Sequence, residues 1–200
     1  MILAVLDARA VCPRLAAALL SPILGEPMIW RQIERIRRAR TVSKLEVLLT
    51  DRACDDNLAG FLLGRGVAVR RDGQIDDPAL WGSTHIALIK ADRPLIDPRM
   101  IDETAALALR SGAAATFGGE EVEIVSAPAF AKNVRKPEAR LPGRFPDWKV
   151  ATPEDFTFVR AVFQALHSED PEFGTEEVLE LIERRQDLAP AEPARVAVAA

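Results

Sequence analysis

The sequence predicts an α/β fold in which a mostly parallel sheet is flanked by helices. Short runs of apolar and β-branched residues, MILAVL at 1–6 and HIALIKA at 85–91, are typical of strands that are buried on both faces. Stretches with the spacing of amphipathic helices lie between such runs, and this alternation is the pattern of a parallel sheet. Because ligands bind at the carboxyl ends of the strands in such folds, the residues there are the functional candidates.

The remaining elements are predicted from the same periodicities and from helix-start signals. Asp97 and Thr152 each precede a proline, which combines an N-cap residue with a proline in the first helical turn. Residues 7–26, 71–84 and 135–147 are expected to be loops. The predicted strands are 1–6, 44–50, 67–70, 85–91, 113–117 and 121–126. The predicted helices are 28–39, 54–66, 98–112 and 127–134, followed by helices that start after Thr152 and at Thr175.

The composition argues against several classes of function. A net charge of −4 and the lack of a long basic run disfavour nucleic acid and an anionic membrane as partners. The basic cluster at 31–40 alternates with isoleucines at helical spacing, which predicts a solvated helix face. Cys12 and Cys54 lack the spacing of a disulfide framework or a metal site. The apolar start is interrupted at Asp7, and no stretch is long enough to span a membrane, so a cytoplasmic protein is predicted.

Three strand ends carry residues that suit a ligand. The loop LDARAVCPRL contains Arg9 and Arg14, whose guanidinium groups suit polyphosphate oxygens, although two solvent-facing arginines explain the pattern as well. Asp92, after HIALIKA, suits a divalent cation that bridges phosphates, or is a turn carboxylate. In GGEEVEIVS the glycines permit close backbone approach. Glu121 and Glu123 alternate on one face of a strand and suit sugar hydroxyls or a cation, or belong to a solvated edge strand.

In this order the motifs resemble the cytidylyltransferase-like family of spore coat polysaccharide biosynthesis proteins, relatives of the enzymes that make CMP-activated acidic sugars. LDARAVCPRLAAA resembles the family's L-Q-A-R-x-x-S-T-R-L-P-G-K, and PILGEPM resembles P-I-x-G-K-P-M. ADRPLIDP, EEVEIVS and VATPEDF resemble G-D-x-P-L-I-D-P, L-D-V-E-V-F-S and V-D-T-P-E-D-F. The resemblance implies a Rossmann-like nucleotidyltransferase fold of the glycosyltransferase A type. Residues 1–185 are expected to form one domain, and the Ala/Pro-rich residues 186–200 a disordered tail.

The resemblance also implies roles for particular residues. Those assigned to the nucleotide, which is CTP in the family, are Leu6, Ala8, Arg9 and Arg14. Asp92 is assigned to catalysis and to magnesium. The paired Glu121 and Glu123 are the candidates for binding an acidic sugar. Relatives commonly form dimers, so a homodimer or another protein partner stays open.

The departures from the family pattern fall in the implied active site. An alanine run at 16–18 replaces Pro-Gly-Lys, so this loop loses a cation and a flexible turn. Ala151 stands where the family has a second magnesium-binding aspartate, and magnesium binding is therefore expected to be weak or absent. The stretch 76–85 is too short for a helix that the family carries there. The segment 135–148 contains nothing like the family's E-H-V-T-P-Y.

Three interpretations follow from these matches and losses. In the first, the chain is a catalytically degenerate member, connected with surface-glycan or flagellin sugar modification, that binds a nucleotide, a sugar or a protein. In the second, it is a working cytidylyltransferase that forms a CMP-sugar from CTP and releases pyrophosphate. Glu120, Glu121 or Asp147 then supplies the missing carboxylate. In the third, it is an unrelated α/β enzyme whose motif matches are accidental.

Overall fold

A seven-stranded sheet forms the centre of the structure, a computed structural model that describes residues 1–9, 13–71, 82–132, 138–142 and 146–188. The strands are β1 (Ile2–Asp7), β2 (Pro22–Ile23), β3 (Glu26–Pro27), β4 (Val42–Leu49), β5 (Ala68–Arg71), β6 (His85–Lys90), β7 (Ala115–Gly118), β8 (Val122–Ser126) and β9 (Ala139–Arg140). The helices are α1 (Pro13–Leu20), α2 (Met28–Ile36), α3 (Asp56–Gly64), α4 (Pro98–Ser111), α5 (Ala127–Ala131), α6 (Pro153–Leu166) and α7 (Thr175–Arg184).

The strand order in the large sheet is β5-β4-β1-β6-β8-β7-β9, while β2 and β3 form a separate short hairpin. Strand β1 pairs in parallel with β4 on one side and with β6 on the other. Strand β8 runs antiparallel to both of its neighbours, β6 and β7. The predicted α/β fold with a mostly parallel sheet is thus confirmed. The chain adds strands on one side of β1 and then on the other, so the point where the order reverses lies between β1 and β6.

The two faces of the sheet are covered unequally. Along β1 the side chains alternate, so that Leu6 faces a large core while Val5 faces a small one. The large core takes apolar residues from α2, α3, α4 and α6. The small core contains Leu3, Val5, Leu48 and Ile86, with Phe130 of α5 packed against it. This lightly covered face leaves room for a cleft at the carboxyl ends of the central strands.

Several expectations about local structure are corrected. Residues 13–20, expected to be loop, form helix α1, because its alanines and leucines are strong helix formers. The basic cluster at 31–40 is not simply a solvated face, because Arg31 is only 8% exposed and Arg35 only 2%. Arg31 donates a hydrogen bond to Ile23 O in β2, and Arg35 donates one to Ile96 O in the loop before α4, which makes their burial tolerable. The expected tail at 186–200 lies outside the described residues except for a 3₁₀ turn at Gln186–Leu188.

Asp97 begins α4 as predicted and also holds α7 in place. Its carboxylate accepts a hydrogen bond from Arg99 N at 2.9 Å and another from Thr175 N at 2.8 Å. Burial alone would raise the pKa of Asp97, but these bonds and the charge of Arg99 outweigh burial and lower the pKa. One carboxylate therefore joins the first turns of two helices. None of the helices in the described ranges combines the length and apolar content that crossing a bilayer requires.

Gly118 ends β7 where the strand touches α4. A Cβ atom placed on Gly118 would overlap Thr104 Oγ1 and would lie 3.2 Å from Thr104 Cβ and 3.3 Å from Met100 Cγ. Thr104 has little freedom to move, because its hydroxyl donates to Met100 O at 2.7 Å. The glycine pair of the sequence thus has a packing role at its first position. At the second, Gly119, φ is +59°, which favours glycine.

We expect Gly118→Ala to lower the free energy of unfolding by about 1–3 kcal/mol, because the added methyl group overpacks the contact between β7 and α4. Urea unfolding measures the change. Thr104→Ala in the same chain should recover part of the loss by making room. Gly60→Ala is the matched control, because Gly60 lies exposed in α3 with open space around its Cβ position. It should raise stability by about 0.5–1 kcal/mol. Equal effects of the two glycine substitutions would contradict the packing argument.

Candidate functional site

A cleft of about 260 Å³ opens on the lightly covered face, beside the carboxyl ends of β1 and β6. Its apolar lining comes from Val5, Leu48, Leu88, Phe117 and Phe130. Its polar lining includes Asp7, Arg9, Lys90, Glu120, Glu121 and Glu123. The cleft thus lies where the strand order reverses, which is the usual ligand position in open α/β sheets.

Arg9 reaches this cleft but is already paired. Its Nε and Nη2 atoms donate to the two oxygens of Asp7 at 2.8 and 2.7 Å. The pair is partly exposed, with 45% of the Arg9 side chain and 34% of the Asp7 side chain accessible to solvent. An exposed ion pair of this kind contributes only about 0.2–1 kcal/mol, so a phosphate group is able to compete with Asp7 for the guanidinium.

The other residues assigned to the nucleotide are placed differently. Leu6 and Ala8 are 0% and 1% exposed, and both belong to the large core. Their side chains are therefore closed to a ligand, and only their backbone remains for the predicted contact. Arg14 lies in the first turn of α1, and its side chain is outside the described part of the structure. The alanine run at 16–18 lies inside the same helix, where no glycine turn interrupts it.

The loops that carry Asp92 and Ala151 lie side by side. Ala91 N donates to Asp7 O at 3.0 Å, which places Asp92 next to the end of β1. Val150 N donates to Asp92 O at 2.9 Å, so the segment that leads into α6 lies against the loop after β6. Ala151 is exposed at this junction. The structure thus brings together the two segments that the sequence motifs pair, with a methyl group at the second position.

The carboxylate of Asp92 faces a buried guanidinium. Arg93 is 4% exposed, and its Nη1 atom lies 2.8 Å from Asp92 Oδ1. On the other side, Arg93 Nε lies 3.2 Å from Asp147 Oδ1. The N–H directions in both contacts are too oblique for hydrogen bonds, although the charges are in contact. Arg93 is therefore the cation that joins Asp92 to Asp147, and these ion pairs act through charge rather than through aligned donors.

Glu121 is a third carboxyl group in this region and is 5% exposed. Its pKa is raised to about 8, mainly by burial and to a smaller extent by the charge of Asp147, against the opposing positive charges of Arg93 and Arg35. Glu121 is therefore mostly protonated at neutral pH. It is a neutral hydrogen-bonding group in the cleft wall rather than the charged partner expected from the sequence.

Glu123 is the second predicted sugar ligand and lies within β8. Strand β8 is an interior strand between β6 and β7. The alternative interpretation of this segment as a solvated edge strand is therefore wrong. Val122 and Ile124 point into the large core, which turns Glu123 toward the opposite face and the cleft. Glu121 precedes the strand, yet it lines the same cleft. A polar ligand in the cleft would therefore meet the carboxyl groups of both Glu121 and Glu123.

The residues around Asp92 do not fit a magnesium ion. Mg²⁺ binds oxygen ligands in an octahedron and keeps several of its waters. Asp92 Oδ1 and Asp147 Oδ1 have almost no accessible surface, and both face Arg93. Within the described ranges, no three His, Cys, Asp or Glu side chains converge as a metal-binding group. The guanidinium of Arg93 therefore already faces the buried oxygen of each carboxylate, which leaves neither of these two atoms open to a metal.

Sequence reasoning missed the role of Arg93. It assigned no role to this residue, although an arginine between an acid and the apolar stretch PLI is a signal that the charge is buried with a partner. Asp147 appeared only as one of three substitutes for a missing carboxylate, in a segment expected to be an exposed loop. Its position next to Arg93 depends on the packing of Trp148 and Val150 into the core. Such packing over more than fifty residues of sequence separation leaves no local pattern.

Comparisons with known proteins agree with the fold. No family model matches the sequence. Over 114 residues the chain is 36% identical to 3-deoxy-manno-octulosonate cytidylyltransferase from Geobacter sulfurreducens. That match covers 52% of this chain and 44% of the relative, so the chain matches less than half of the length of the curated relative.

Solved structures are similar over most of the chain. A cytidylyltransferase from Leptospira borgpetersenii has a TM-score of 0.75 at 16% identity, over 96% of both chains. The 4-diphosphocytidyl-2C-methyl-D-erythritol synthase from Anaerococcus prevotii has a TM-score of 0.60 at 12% identity, over 82% of this chain and 96% of that one. A Mycobacterium tuberculosis protein in complex with manganese has a TM-score of 0.57 at 14% identity, over 80% of this chain and 98% of that one. The chain thus has the α/β fold of these proteins.

We expect Glu121→Gln to remove a pH dependence of stability. The unfolded chain ionises Glu121 above about pH 4.5, whereas the folded chain keeps the proton until about pH 8. The wild-type protein should therefore lose stability as the pH rises through this window, by up to about 1.4 kcal/mol per pH unit. The variant's stability relative to wild type should rise over the same window in urea unfolding. Glu120→Gln, at an exposed position, is the control. A pH-independent difference would contradict the assignment.

Proposed function

We propose that the chain is a cytidylyltransferase-like protein that binds CTP, or another nucleotide, in the cleft beside β1 and β6 without transferring the nucleotidyl group. The family named in the sequence analysis, connected with surface-glycan or flagellin sugar modification, is the proposed setting. An acidic sugar is the proposed second ligand. Support comes from the fold, the partial sequence match to a cytidylyltransferase, and the cleft at the point of strand-order reversal.

The observation that carries this proposal is the contact between the two motif loops. The bond from Val150 N to Asp92 O is a backbone bond, so it preserves the arrangement of the loops whatever their side chains are. At that junction the side chain of residue 151 is a methyl group, and Asp92 faces Arg93. The preserved backbone arrangement supports binding of a nucleotide, and the methyl group at residue 151 supports the loss of the carboxylate pair that the resemblance expects to hold a metal.

The charges favour binding over transfer. Nucleotidyl transfer depends on positioning and on neutralising charge that develops on the phosphates. Loss of one such stabilising group typically costs about 3–4 kcal/mol of barrier, or two to three orders of magnitude in rate. The alanines at 16–18 and at 151 remove two charged groups that the resemblance expects. The affinity for a nucleotide is expected to fall less than the rate of transfer, because the aligned strand ends and Arg9 remain.

A second candidate, a working cytidylyltransferase, is favoured by one observation. Asp147 and Asp92 contact the same guanidinium group, that of Arg93, so a second carboxylate is close to the predicted catalytic residue. In this candidate Asp92 and Asp147 act together on CTP and an acidic sugar. Release of pyrophosphate from CTP in the presence of nonulosonic acids, lost in Asp92→Ala, would establish it and contradict the binding-only proposal.

We expect calorimetry to detect CTP binding both with and without magnesium, and two substitutions to shift it in opposite directions. Arg9→Gln should weaken binding about ten-fold or more, because a charged hydrogen bond contributes about 1.5–3 kcal/mol. Asp7→Asn should strengthen it several-fold, because it removes the carboxylate that pairs with Arg9.

The control for these two variants is Arg160→Gln, at an exposed position on α6. Its CTP affinity should equal that of the wild-type protein. If the wild-type chain binds no CTP under either condition, the nucleotide proposal is wrong. If Arg9→Gln and Arg160→Gln weaken binding equally, the effect is one of overall charge and the nucleotide lies elsewhere.

A further inference from the structure

We propose that Arg93 is a built-in cation that occupies the position of a divalent metal between Asp92 and Asp147, so that this site gains metal binding only when the guanidinium is removed. This inference rests on the proposed function, because it concerns the metal position of the proposed nucleotide site. The metal test itself needs no nucleotide, so the failure of either proposal is recognised separately.

The first argument is the position of the guanidinium. Arg93 contacts one oxygen from each carboxylate, at 2.8 Å for Asp92 and 3.2 Å for Asp147. These two residues lie on the two loops that the Val150–Asp92 backbone bond brings together. A cation that bridges carboxylates from two strand-end loops is the arrangement expected of a bound metal. Here the bridging charge is covalently part of the chain.

The second argument is burial. The Arg93 side chain is 5% exposed, while those of Asp92 and Asp147 are 22% and 18% exposed. The guanidinium is thus on the inside and the carboxylates cover it, which leaves little room for the water ligands of Mg²⁺. A divalent ion brought beside Arg93 would also meet a like charge in a region where burial strengthens repulsion.

The third argument is the imperfect geometry of the contacts. Neither N–H group points along its contact, so the carboxylate oxygens are paired by charge but have no aligned donor there. A metal ion has no donor direction and would satisfy the same oxygens after loss of the arginine. Charge is therefore the quantity that the site requires, and a divalent cation is the class of ligand able to restore it.

The test is manganese binding, measured by electron paramagnetic resonance of free Mn²⁺ and by the shift in Tm. The wild-type protein and Arg93→Lys, which keeps the charge, should bind no Mn²⁺ at this site. Arg93→Gln should have a lower Tm that Mn²⁺ raises, with a dissociation constant on the order of 10⁻³ M or tighter, as for weak carboxylate sites. The double variant, Arg93→Gln with Asp147→Asn, keeps the local net charge of the wild type. It should lose the Mn²⁺ binding that Arg93→Gln alone gains.

Arg99→Gln is the matched control, because Arg99 also pairs with an aspartate, Asp97, but is 57% exposed. It should gain no Mn²⁺ binding. Wild-type binding of Mn²⁺ that Asp92→Asn weakens would overturn the proposal. An Arg93→Gln chain that binds no Mn²⁺, or that stays unfolded at saturating Mn²⁺, would overturn it as well, because metal and guanidinium would then not be interchangeable.

Discussion

Two guanidinium groups that have been removed from water fix the carboxyl edge of the sheet. Arg35 is 2% exposed and Arg93 is 4% exposed. Arg35 donates to Ile96 O at 2.8 Å and lies over the ring of Phe173, while Arg93 contacts Asp92 and Asp147. Removing one partner from such a buried charge arrangement typically costs about 3–5 kcal/mol. These contacts therefore join the loop between β6 and α4 to helix α2 and to the segment before α6.

The parts of the fold that follow from local sequence could be predicted, and the parts that depend on distant partners could not. The central strands and the caps at Asp97 and Thr152 were expected, because apolar runs and capping residues act over a few positions. The antiparallel direction of β8 depends on the strands with which it pairs, and no pattern in its own residues indicates it. The burial of Arg35 depends on a carbonyl sixty-one residues away, so its sequence resembles that of a solvated helix.

The candidate site shows the same division. The sequence identified Asp92 and Ala151 as neighbours only through a resemblance, and a backbone hydrogen bond supports that pairing. It did not identify Arg93, because the meaning of that residue comes from Asp147, which lies in an irregular segment. The bond from Val150 N to Asp92 O joins two backbones, so it does not depend on which side chains these loops carry.

The start of α6 illustrates a consequence for motif-based assignment. Asp155 Oδ2 accepts hydrogen bonds from Ala151 N at 2.9 Å and from Thr152 N at 2.8 Å, and Thr152 Oγ1 accepts one from Asp155 N. These bonds close a capping box, so Thr152, Pro153 and Asp155 are explained by the start of a helix alone. A search that gives weight to these residues detects a folding signal. The residue before them, Ala151, is the one at which the resemblance implies a second magnesium-binding aspartate, and the helix start places no demand on its side chain.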